Sequence, residues 1–437
     1  MNASPGNTDW LALAAAAAPA SIALVEDDGT AVSYAELCGL ADDVATLHRE
    51  SGVAEGTVVL TPVGAVDCDL IASLWGAWRA GVVPLVVDEN SPFAGEWTSR
   101  AADLAGMGGP ALHTVVLTSG SGGGPRPVRL TRANVVAAVE ASQKRLGNAD
   151  DDRWLLTLPL FHIGGLSILW RSAAAGGTVV VHSRFNATRV AEAIQSGTVS
   201  MASFVPTMLY RLLAAEPGPY TGMKRVLLGG AAASRGLVER ALDAGLPILQ
   251  TYGMTETCSQ TATVVPGEAV ESLGTTGVPL DGVSISTGEA GVGEIVVSGP
   301  MVSPGYLGEP DRDGGHPTGD IGYLDEHGRL VVLARADDMI ITGGENVYPE
   351  QVAGVLSRHP DLEQVKVVGV PDAEWGQAVV AIAIGNPEAR SDILEWASQR
   401  LPRHEVPKRW AFVDELPIQP GGKVNRSALF EIAKGAE

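Results

Sequence analysis

Short apolar runs alternate with amphipathic stretches through the first half of the chain. The pattern predicts buried strands at Val58–Val63 and Val82–Val87, with a helix near Leu70–Ala80 between them. A further strand, Val115–Thr118, runs directly into a glycine-rich loop. Later strands, each beside an Ala-rich amphipathic segment, are predicted at Thr178–His182, Ser200–Val205, Val226–Leu228 and Pro247–Gln250. This βαβ rhythm favours a large α/β body with mostly parallel sheets.

The pattern changes twice in the second half. After Gly274, strands at Gly293–Ser298 and Leu330–Leu333 are separated by turn-rich segments, which is typical of an antiparallel or barrel-like appendage. From about Asp337 the chain reads as a compact α+β unit. Its predicted helices and strands are Pro349–Arg358, Val365–Val370, Ala378–Ile384, Ser391–Leu401 and Arg409–Val413. We therefore predict two domains, residues 1–336 and residues 337–437.

Charge narrows the choice of partners. The 437 residues include 30 Lys and Arg against 51 Asp and Glu, so the formal net charge is −21. Such a surface repels nucleic-acid backbones and anionic membranes, and we expect neither as a partner. An acidic protein that binds an anion must build a local pocket of amides, hydroxyls or cations against its own field.

The cysteines and the N-terminus indicate a reducing compartment. Three widely spaced cysteines with no CxxC pair do not form a disulfide framework. The apolar run Leu11–Ala18 follows a segment without Lys or Arg, unlike a secretory signal. With no long apolar stretch to cross a membrane, we expect a soluble, cytoplasmic protein.

One loop has the composition of a phosphate site. Three hydroxyl residues and four glycines, in the stretch from Thr118 to Gly124, precede Pro125 and the single cation Arg126. Glycine permits positive φ and close approach, so backbone N–H groups can turn towards phosphate oxygens. The loop does not match GxxxxGK[ST], and the alternative of a flexible surface loop stays open.

Three other segments carry candidate chemistry. Gln250–Thr257 combines hydroxyls, an aromatic ring and one carboxylate, a mixture suited to phosphate and Mg²⁺. Asp320 and Arg335 flank a short hairpin and could hold the vicinal hydroxyls of a ribose or simply form a surface ion pair. Lys423 follows two glycines and is either a solvated tail residue or a mobile catalytic cation.

These segments, in this order, resemble the acyl-adenylate-forming superfamily of acyl-CoA ligases. The resemblance runs from about Val58 to Arg426 and includes the Gly343-Gly344-Glu345 loop. Within the superfamily, the stretches 158–169, 227–231 and 250–260 are most similar to the o-succinylbenzoate–CoA ligases of menaquinone biosynthesis. The resemblance implies a large two-sheet α/β N-terminal body with a β-barrel-like appendage, plus a small mobile α+β C-terminal domain.

The resemblance also implies the reaction and its substrates. A carboxylate attacks the α-phosphate of ATP, giving acyl-AMP and pyrophosphate, and coenzyme A then takes the acyl group, with Mg²⁺ as cofactor. The implied ATP and AMP contacts are Thr118, Ser119, Gly120, Ser121, Arg126, Gly229, Gly230, Ala231, Gln250, Tyr252, Gly253, Thr255, Asp320 and Arg335. Glu256 would hold Mg²⁺, and Lys423 would bridge the α-phosphate and the attacking carboxylate.

The remaining implied roles concern the acid and the thiol. The implied acyl pocket includes His162, Ser167, Ser203, Gly253 and Thr257, while Gly343 and Gly344 would line the coenzyme A tunnel. His162 is counted with Lys423, Thr255 and Glu256 as catalytic, although it would gate or position, because a carboxylate is already ionised at pH 7. Asp337 matches the hinge about which the small domain rotates.

The chain departs from the superfamily pattern at two positions of the phosphate loop. Gly122 replaces a threonine and Arg126 replaces a lysine, which we expect to weaken ATP binding without abolishing it. A dianionic acid also needs a partner for its second carboxylate, and only Arg171 lies near the pocket segments.

Three alternatives remain open at this point. The first is an aryl- or short acyl-CoA ligase of another pathway, and the second is an adenylating enzyme that loads a carrier protein. The third is a nonenzymatic nucleotide-binding protein, which the presence of Lys423, Glu256 and Asp320 disfavours. A homodimer is implied only by the resemblance.

Overall fold

The computed structural model describes residues 9–91, 94–109, 111–118, 125–288, 291–418 and 424–436. The body contains, in chain order, α1 (Trp10–Ala17), β1 (Ile22–Val25), β2 (Ala31–Ser33), α2 (Tyr34–Glu50), β3 (Val58–Val63), α3 (Cys68–Arg79), β4 (Val83–Asp88), α4 (Ala94–Ala105), β5 (Leu112–Leu117), β6 (Pro127–Thr131), α5 (Arg132–Leu146), β7 (Arg153–Leu156), α6 (Ile163–Ala175), β8 (Thr178–Val181), α7 (Ala187–Gln195), β9 (Met201–Phe204), α8 (Pro206–Ala215), β10 (Arg225–Leu228), α9 (Arg235–Asp243), β11 (Ile248–Met254), β12 (Ser259–Thr263) and β13 (Val278–Pro279). An appendage follows with β14 (Ser284–Ser286), β15 (Gly293–Ser298), β16 (His316–Leu324) and β17 (Leu330–Arg335). The last part contains β18 (Ile340–Thr342), β19 (Glu345–Val347), α10 (Pro349–Leu356), β20 (Leu362–Asp372), β21 (Gly376–Gly385), α11 (Arg390–Ser398), β22 (Arg409–Phe412) and α12 (Arg426–Lys434).

Two sheets form the body, as expected. Within the described ranges, nine strands lie in the order β13-β12-β11-β10-β9-β7-β8-β1-β2, and four lie in the order β3-β4-β5-β6. The pairs from β11 through β10, β9, β7 and β8 to β1 are parallel, while the outermost pairs are antiparallel. β4 is buried from Val83 to Val87, because a parallel strand covered on both faces needs apolar side chains on both.

Two strands of the body extend three or more residues beyond their predicted bounds, and the first is β5, which was expected from Val115 and begins at Leu112. The strand expected at Pro247–Gln250 continues to Met254, because β12 pairs with it in antiparallel register from Thr251 onwards. The segment that carries Tyr252 and Gly253 is therefore held by sheet hydrogen bonds, and the loop begins at Thr255.

The appendage is an antiparallel sheet, which confirms the expected change of rhythm. Among the residues described, β14, β15, β16 and β17 follow one another in space. β16 was not predicted, because Pro317 and the polar Thr318-Gly319-Asp320 segment look like a turn. Alternate residues of β16 are nonetheless buried, the pattern of a strand with one covered face.

The last part of the chain has its own apolar cores. In the portion of the chain that the structure describes, two hydrophobic clusters lie wholly within residues 340–433, and four lie wholly within residues 11–330. One contact that joins the two parts is made by the Tyr210 hydroxyl, which donates to Glu363 Oε2 at 3.0 Å. No helix in the described ranges is both long and apolar enough to cross a membrane.

Candidate active site

The carboxyl ends of three parallel strands bring the predicted adenine-side residues together. Leu228, the last residue of β10, is in register with Gln250 of β11 and with Phe204 of β9. Gly229, Gly230 and Ala231 leave β10 at this edge, and Gly229 N–H donates to Phe204 O at 3.1 Å. A Cβ at Gly229 would lie 2.8 Å from Thr251 Cγ2, so the close approach to β11 requires glycine.

Tyr252, Asp320 and Arg335 form a polar triad beside this edge. Asp320 and Arg335 are register partners in the β16–β17 hairpin, with Arg335 Nη1 3.2 Å from Asp320 Oδ1. The Tyr252 hydroxyl donates to Asp320 Oδ2 at 2.6 Å. Burial raises the pKa of Asp320, whereas the hydrogen bond from Tyr252 and the charge of Arg335 oppose that rise. Burial and the Asp320 charge raise the pKa of Tyr252, so its hydroxyl stays protonated and donates.

The turn after β11 has an unusual backbone. A 3-10 turn spans Thr255–Thr257, and the Met254 N–H donates to Thr257 Oγ1 at 3.1 Å. Cys258 and Ser259 follow with φ values of 52° and 89°, rare for residues with a side chain. Such backbone strain concentrates at functional sites and persists because surrounding structure enforces it. The backbone of Gly253 packs so closely against this turn that a Cβ at Gly253 would lie 1.6 Å from Ser259 O.

Glu256 is anchored by residues that the sequence did not indicate. The Tyr306 hydroxyl donates to Glu256 Oε1 at 2.9 Å, and Ser303 N–H donates to Glu256 O at 2.8 Å. Burial, followed by the Glu256 charge, raises the pKa of Tyr306 to about 12. The Arg126 guanidinium lies 3.3 Å from the centre of the Tyr306 ring and pairs with Glu309. No local sequence pattern could have found these contacts, because they join residues far apart in the chain.

The two described ends of the phosphate loop are paired. Thr118 N–H donates to Arg126 O at 2.9 Å, and Arg126 N–H donates to Thr118 Oγ1 at 3.3 Å. The predicted contacts Ser119, Gly120 and Ser121, the departure Gly122 and the predicted catalytic residue Lys423 lie outside the described residues.

The predicted acyl-pocket residues are all buried or half-buried. His162 is half-buried at the start of α6, and its ring lies 4.7 Å from that of Phe161. The Ser167 hydroxyl donates to Gly164 O at 3.1 Å, and Ser203 Oγ accepts from Trp154 Nε1 at 3.1 Å. Thr257 is fully buried and caps its own turn. The hydroxyls of Ser167, Ser203 and Thr257 therefore already have partners within the protein.

Arg171 of α6 is the most unusual cation in this region. Its side chain is only 3% exposed, and its Nε and Nη2 atoms have no hydrogen-bond partner among the described residues. Burial lowers the pKa of Arg171 to about 10. Cys258, the buried residue that directly follows Thr257, has a pKa that burial raises and that the positive charge of Arg171 lowers. Arg171 thus places a buried guanidinium with unused donors on α6, the helix that begins beside His162. Burial of such a charge is costly unless an anion pairs with it.

The remaining predicted residues lie after β17. Gly343 and Gly344 form the β18–β19 turn with φ values of 60° and 86°, and Gly343 N–H donates to Trp375 O at 2.8 Å. Asp337 is exposed in a 3-10 turn spanning Ala336–Asp338, at the junction of the two parts.

The arrangement fits a nucleotide with a hard metal ion. The Asp320 carboxylate and Arg335 offer an acceptor and donors at the edge where Gly229 and Gly230 expose backbone. Glu256 offers a carboxylate oxygen beside threonine hydroxyls, the all-oxygen donor chemistry that Mg²⁺ prefers. Phosphoryl and acyl transfer need such positioning and charge neutralisation more than a covalent catalyst.

Comparison with known proteins gives concordant matches. The model of the AMP-binding enzyme family matches residues 108–307, and the model of the AMP-binding enzyme C-terminal domain matches residues 351–423. A 2-succinylbenzoate–CoA ligase from Bacillus licheniformis is 42% identical over 330 residues, covering 72% of this chain and 69% of that protein. The solved structure of o-succinylbenzoate coenzyme A synthetase from Bacillus subtilis with its acyl-adenylate intermediate has a TM-score of 0.84 and 30% identity, covering 96% and 97% of the two chains. The complex of that enzyme with ATP and magnesium ion has a TM-score of 0.83 and 30% identity, covering 98% and 99%.

Proposed function

The chain belongs to the AMP-binding enzyme family, and from this premise we propose that it is an ATP-dependent 2-succinylbenzoate–CoA ligase of menaquinone biosynthesis. The observation that carries the choice of acid is Arg171, whose buried Nε and Nη2 have no partner among the described side chains. A monocarboxylate would be consumed at the ATP site and would leave this guanidinium unpaired. The second carboxylate of 2-succinylbenzoate would complete it.

The first half-reaction joins the acid to AMP. An oxygen of the substrate carboxylate attacks the α-phosphorus of ATP, the bond to the β-phosphate oxygen breaks, and pyrophosphate leaves. Thr118, Ser119, Gly120 and Ser121 would hold the pyrophosphate end, Thr255 the α-phosphate, and Lys423 the attacking oxygen. A magnesium ion at Glu256 would neutralise phosphate charge.

The nucleoside would be oriented by the edge of the nine-stranded sheet. Gly229, Gly230 and Ala231 would lie against the adenine, with Gln250 as a further wall. Tyr252 engages Asp320 Oδ2 and Arg335 engages Oδ1, so a ribose hydroxyl would donate to a remaining lone pair of this carboxylate.

The second half-reaction transfers the acyl group to coenzyme A. The thiol loses its proton, the sulfur attacks the acyl carbonyl carbon, and AMP leaves as the carbon–oxygen bond to phosphate breaks. Gly343 and Gly344 would line the tunnel for the pantetheine arm, where a side chain would be an obstruction. His162 would position the acid at the junction of the acyl pocket and the tunnel.

The chain would have two domains, 1–336 and 337–437, and the second would rotate about Asp337 between the first and second half-reactions. The separate hydrophobic clusters on either side of this residue support the division, since each part can keep its core while the other turns. One orientation would deliver Lys423, and the other would present the Gly343–Gly344 turn.

A single assay series tests the proposed substrate. Acid-dependent exchange of pyrophosphate into ATP, and AMP formation with coenzyme A, are measured for 2-succinylbenzoate, benzoate and medium-chain fatty acids. We expect 2-succinylbenzoate to have the highest kcat/KM, by about a hundredfold over benzoate, because two charge-assisted hydrogen bonds are at stake. Equal use of benzoate would reject the proposed acid, and exchange without thioester formation would indicate a carrier-protein acceptor.

Location and assembly complete the proposal. Three free cysteines, Cys38, Cys68 and Cys258, support a reducing cytoplasm. A homodimer is proposed from the resemblance alone, and sedimentation equilibrium measures it.

A further inference from the structure

Tyr306 and Glu256 form a contact that none of the roles above uses. The hydroxyl of Tyr306 donates to Glu256 Oε1 at 2.9 Å, and this carboxylate is the one that we propose for magnesium. The inference that follows therefore rests on the proposed function of Glu256. A hydrogen bond at one carboxylate oxygen fixes the plane of the group and directs the other oxygen towards a metal.

The segment that carries Tyr306 is held on β6. Tyr306 forms a β-bridge with Val128, Arg129 N–H donates to Gly305 O at 3.0 Å, and Leu307 N–H donates to Pro127 O at 2.8 Å. These backbone contacts fix where the Tyr306 ring begins. The ring itself is buried in the hydrophobic cluster that also contains Val128, and Arg126 contacts one of its faces.

Arg126 lies on that face. Its guanidinium carbon is 3.3 Å from the ring centre, a close cation–π contact. Arg126 Nη2 is held in turn by both oxygens of Glu309, at 2.7 Å and 3.0 Å. In this arrangement the guanidinium points to Glu309, whereas the backbone of Arg126 closes the phosphate loop through Thr118.

We propose that Tyr306, Arg126 and Glu309 are positioning residues for the magnesium carboxylate: Glu309 holds Arg126, Arg126 fixes the tilt of the Tyr306 ring, and the Tyr306 hydroxyl orients Glu256. This series of contacts links Arg126, at the end of the phosphate loop, to Glu256, the proposed metal ligand. The phosphate loop and the metal ligand are therefore positioned together. A preorganised ligand binds its metal more tightly, because less freedom is lost on binding.

Mn²⁺ provides a direct readout of this site, because its binding with ATP can be followed by electron paramagnetic resonance without any acid. For Tyr306→Phe, which removes only the hydroxyl, we expect the Mn²⁺ dissociation constant to rise about tenfold. Glu309→Gln should raise it less, by about threefold, because it only loosens Arg126. The double variant should have the same Mn²⁺ dissociation constant as Tyr306→Phe, because both changes act through the Glu256 carboxylate.

Asp311→Asn is the matched control for Glu309→Gln. Asp311 pairs with Arg129 at 2.9 Å, so an arginine–carboxylate ion pair of the same loop is broken while the Arg126–Tyr306 and Arg126–Glu309 contacts stay intact. We expect wild-type Mn²⁺ affinity for it. Unchanged affinity in Tyr306→Phe, or an equal loss in Asp311→Asn and Glu309→Gln, would overturn the inference. Because Glu309 is exposed, Glu309→Gln should fold, and it tests the proposed series of contacts even if Tyr306→Phe does not fold.

The magnesium dependence of pyrophosphate exchange gives a second readout. The same variants should need more Mg²⁺ for half-maximal exchange, while thioester formation from supplied acyl-AMP stays at the wild-type rate. A wild-type enzyme that binds Mn²⁺ with ATP but shows no exchange with 2-succinylbenzoate would remove the proposed acid and leave this inference standing. Wild-type metal affinity in Glu256→Gln would remove the proposed metal ligand, and this inference with it.

Discussion

Asp320 and Arg335 face each other as register partners of β16 and β17, and a third residue, Tyr252 of β11, completes the pair from another sheet. The carboxylate is thus held by the appendage and by the body at once. A nucleotide that contacts Asp320 therefore binds a carboxylate that is fixed by residues of two sheets. Such a rigid acceptor is suited to holding a ligand in one orientation.

Replacement of Asp320 tests this acceptor. Asp320→Asn keeps the shape but removes the charge, and we expect the KM for ATP in pyrophosphate exchange to rise roughly 10- to 100-fold, as for a lost charge-assisted hydrogen bond. Glu326→Gln, at the exposed turn of the same hairpin, is the control and should behave as wild type. An unchanged KM for ATP would exclude Asp320 from nucleotide binding.

Replacement of Arg171 separates stability from substrate choice. Arg171→Met removes a buried charge, and we expect the melting temperature to stay the same or rise. The KM for 2-succinylbenzoate should rise roughly 10- to 100-fold while that for benzoate is unchanged, because only the dianion uses the guanidinium. Steady-state kinetics with both acids measure this. An equal loss for the two acids would indicate a general packing defect.

Removal of Lys423 tests the proposed exchange of domains. Lys423→Ala should abolish pyrophosphate release from ATP, because no other cation is proposed at the attacking oxygen. Thioester formation from supplied acyl-AMP should continue, since the other orientation carries Lys423 away. The two half-reactions are assayed separately. Equal loss in both would contradict the rotation.

Gly253 is expected to tolerate no side chain. In Gly253→Ala the new Cβ would meet Ser259 O at 1.6 Å, and we expect a loss of about 3 kcal/mol or more in the free energy of unfolding. Gly39→Ala is the control, because it lies in α2 with no atom within 4 Å of the new Cβ. That change should be neutral or stabilise by about 0.5–1 kcal/mol. Urea denaturation compares the two.

His113 makes stability sensitive to acid. Its ring is buried against Trp78, and burial, together with the charge of Arg132, lowers its pKa from 6.5 to about 3. The unfolded chain therefore takes up a proton first as the pH falls, so stability is lost below about pH 6.5 and the loss continues towards about pH 3. The loss is about 1.4 kcal/mol per pH unit. His113→Phe should reduce the slope of unfolding free energy against pH by one proton. Identical slopes would exclude His113 as the cause.

The parallel core was predictable because its signal is local. Parallel strands of the body are apolar runs, and those at Val58–Val63 and Thr178–His182 appeared within one residue of their predicted ends. The second is buried throughout, whereas the first is buried only at Val58 and Val63. The Asp320–Arg335 pairing was also predicted, because the hairpin brings near neighbours in sequence together.

The rest could not be predicted because it depends on distant partners. β16 contains Pro317 and Gly319 and becomes a strand only through hydrogen bonds with β15 and β17 on either side. The anchoring of Glu256 by Tyr306, and of Tyr306 by Arg126, joins three separate regions of the chain. Arg171 was noted only for its place in sequence, and its unused donors became visible once the side chains around it were placed.

The largest hydrophobic cluster has a consequence for synthesis on the ribosome. It begins at Leu11 of α1 and ends at Tyr306, so the nascent chain must expose some three hundred residues before this core can close. Until then, helices synthesised early, such as α1, keep part of their apolar surface exposed, and chaperones recognise such surfaces. Tyr306 is the last residue of this cluster to be synthesised, so completion of this core and the setting of Glu256 would coincide in the emerging enzyme.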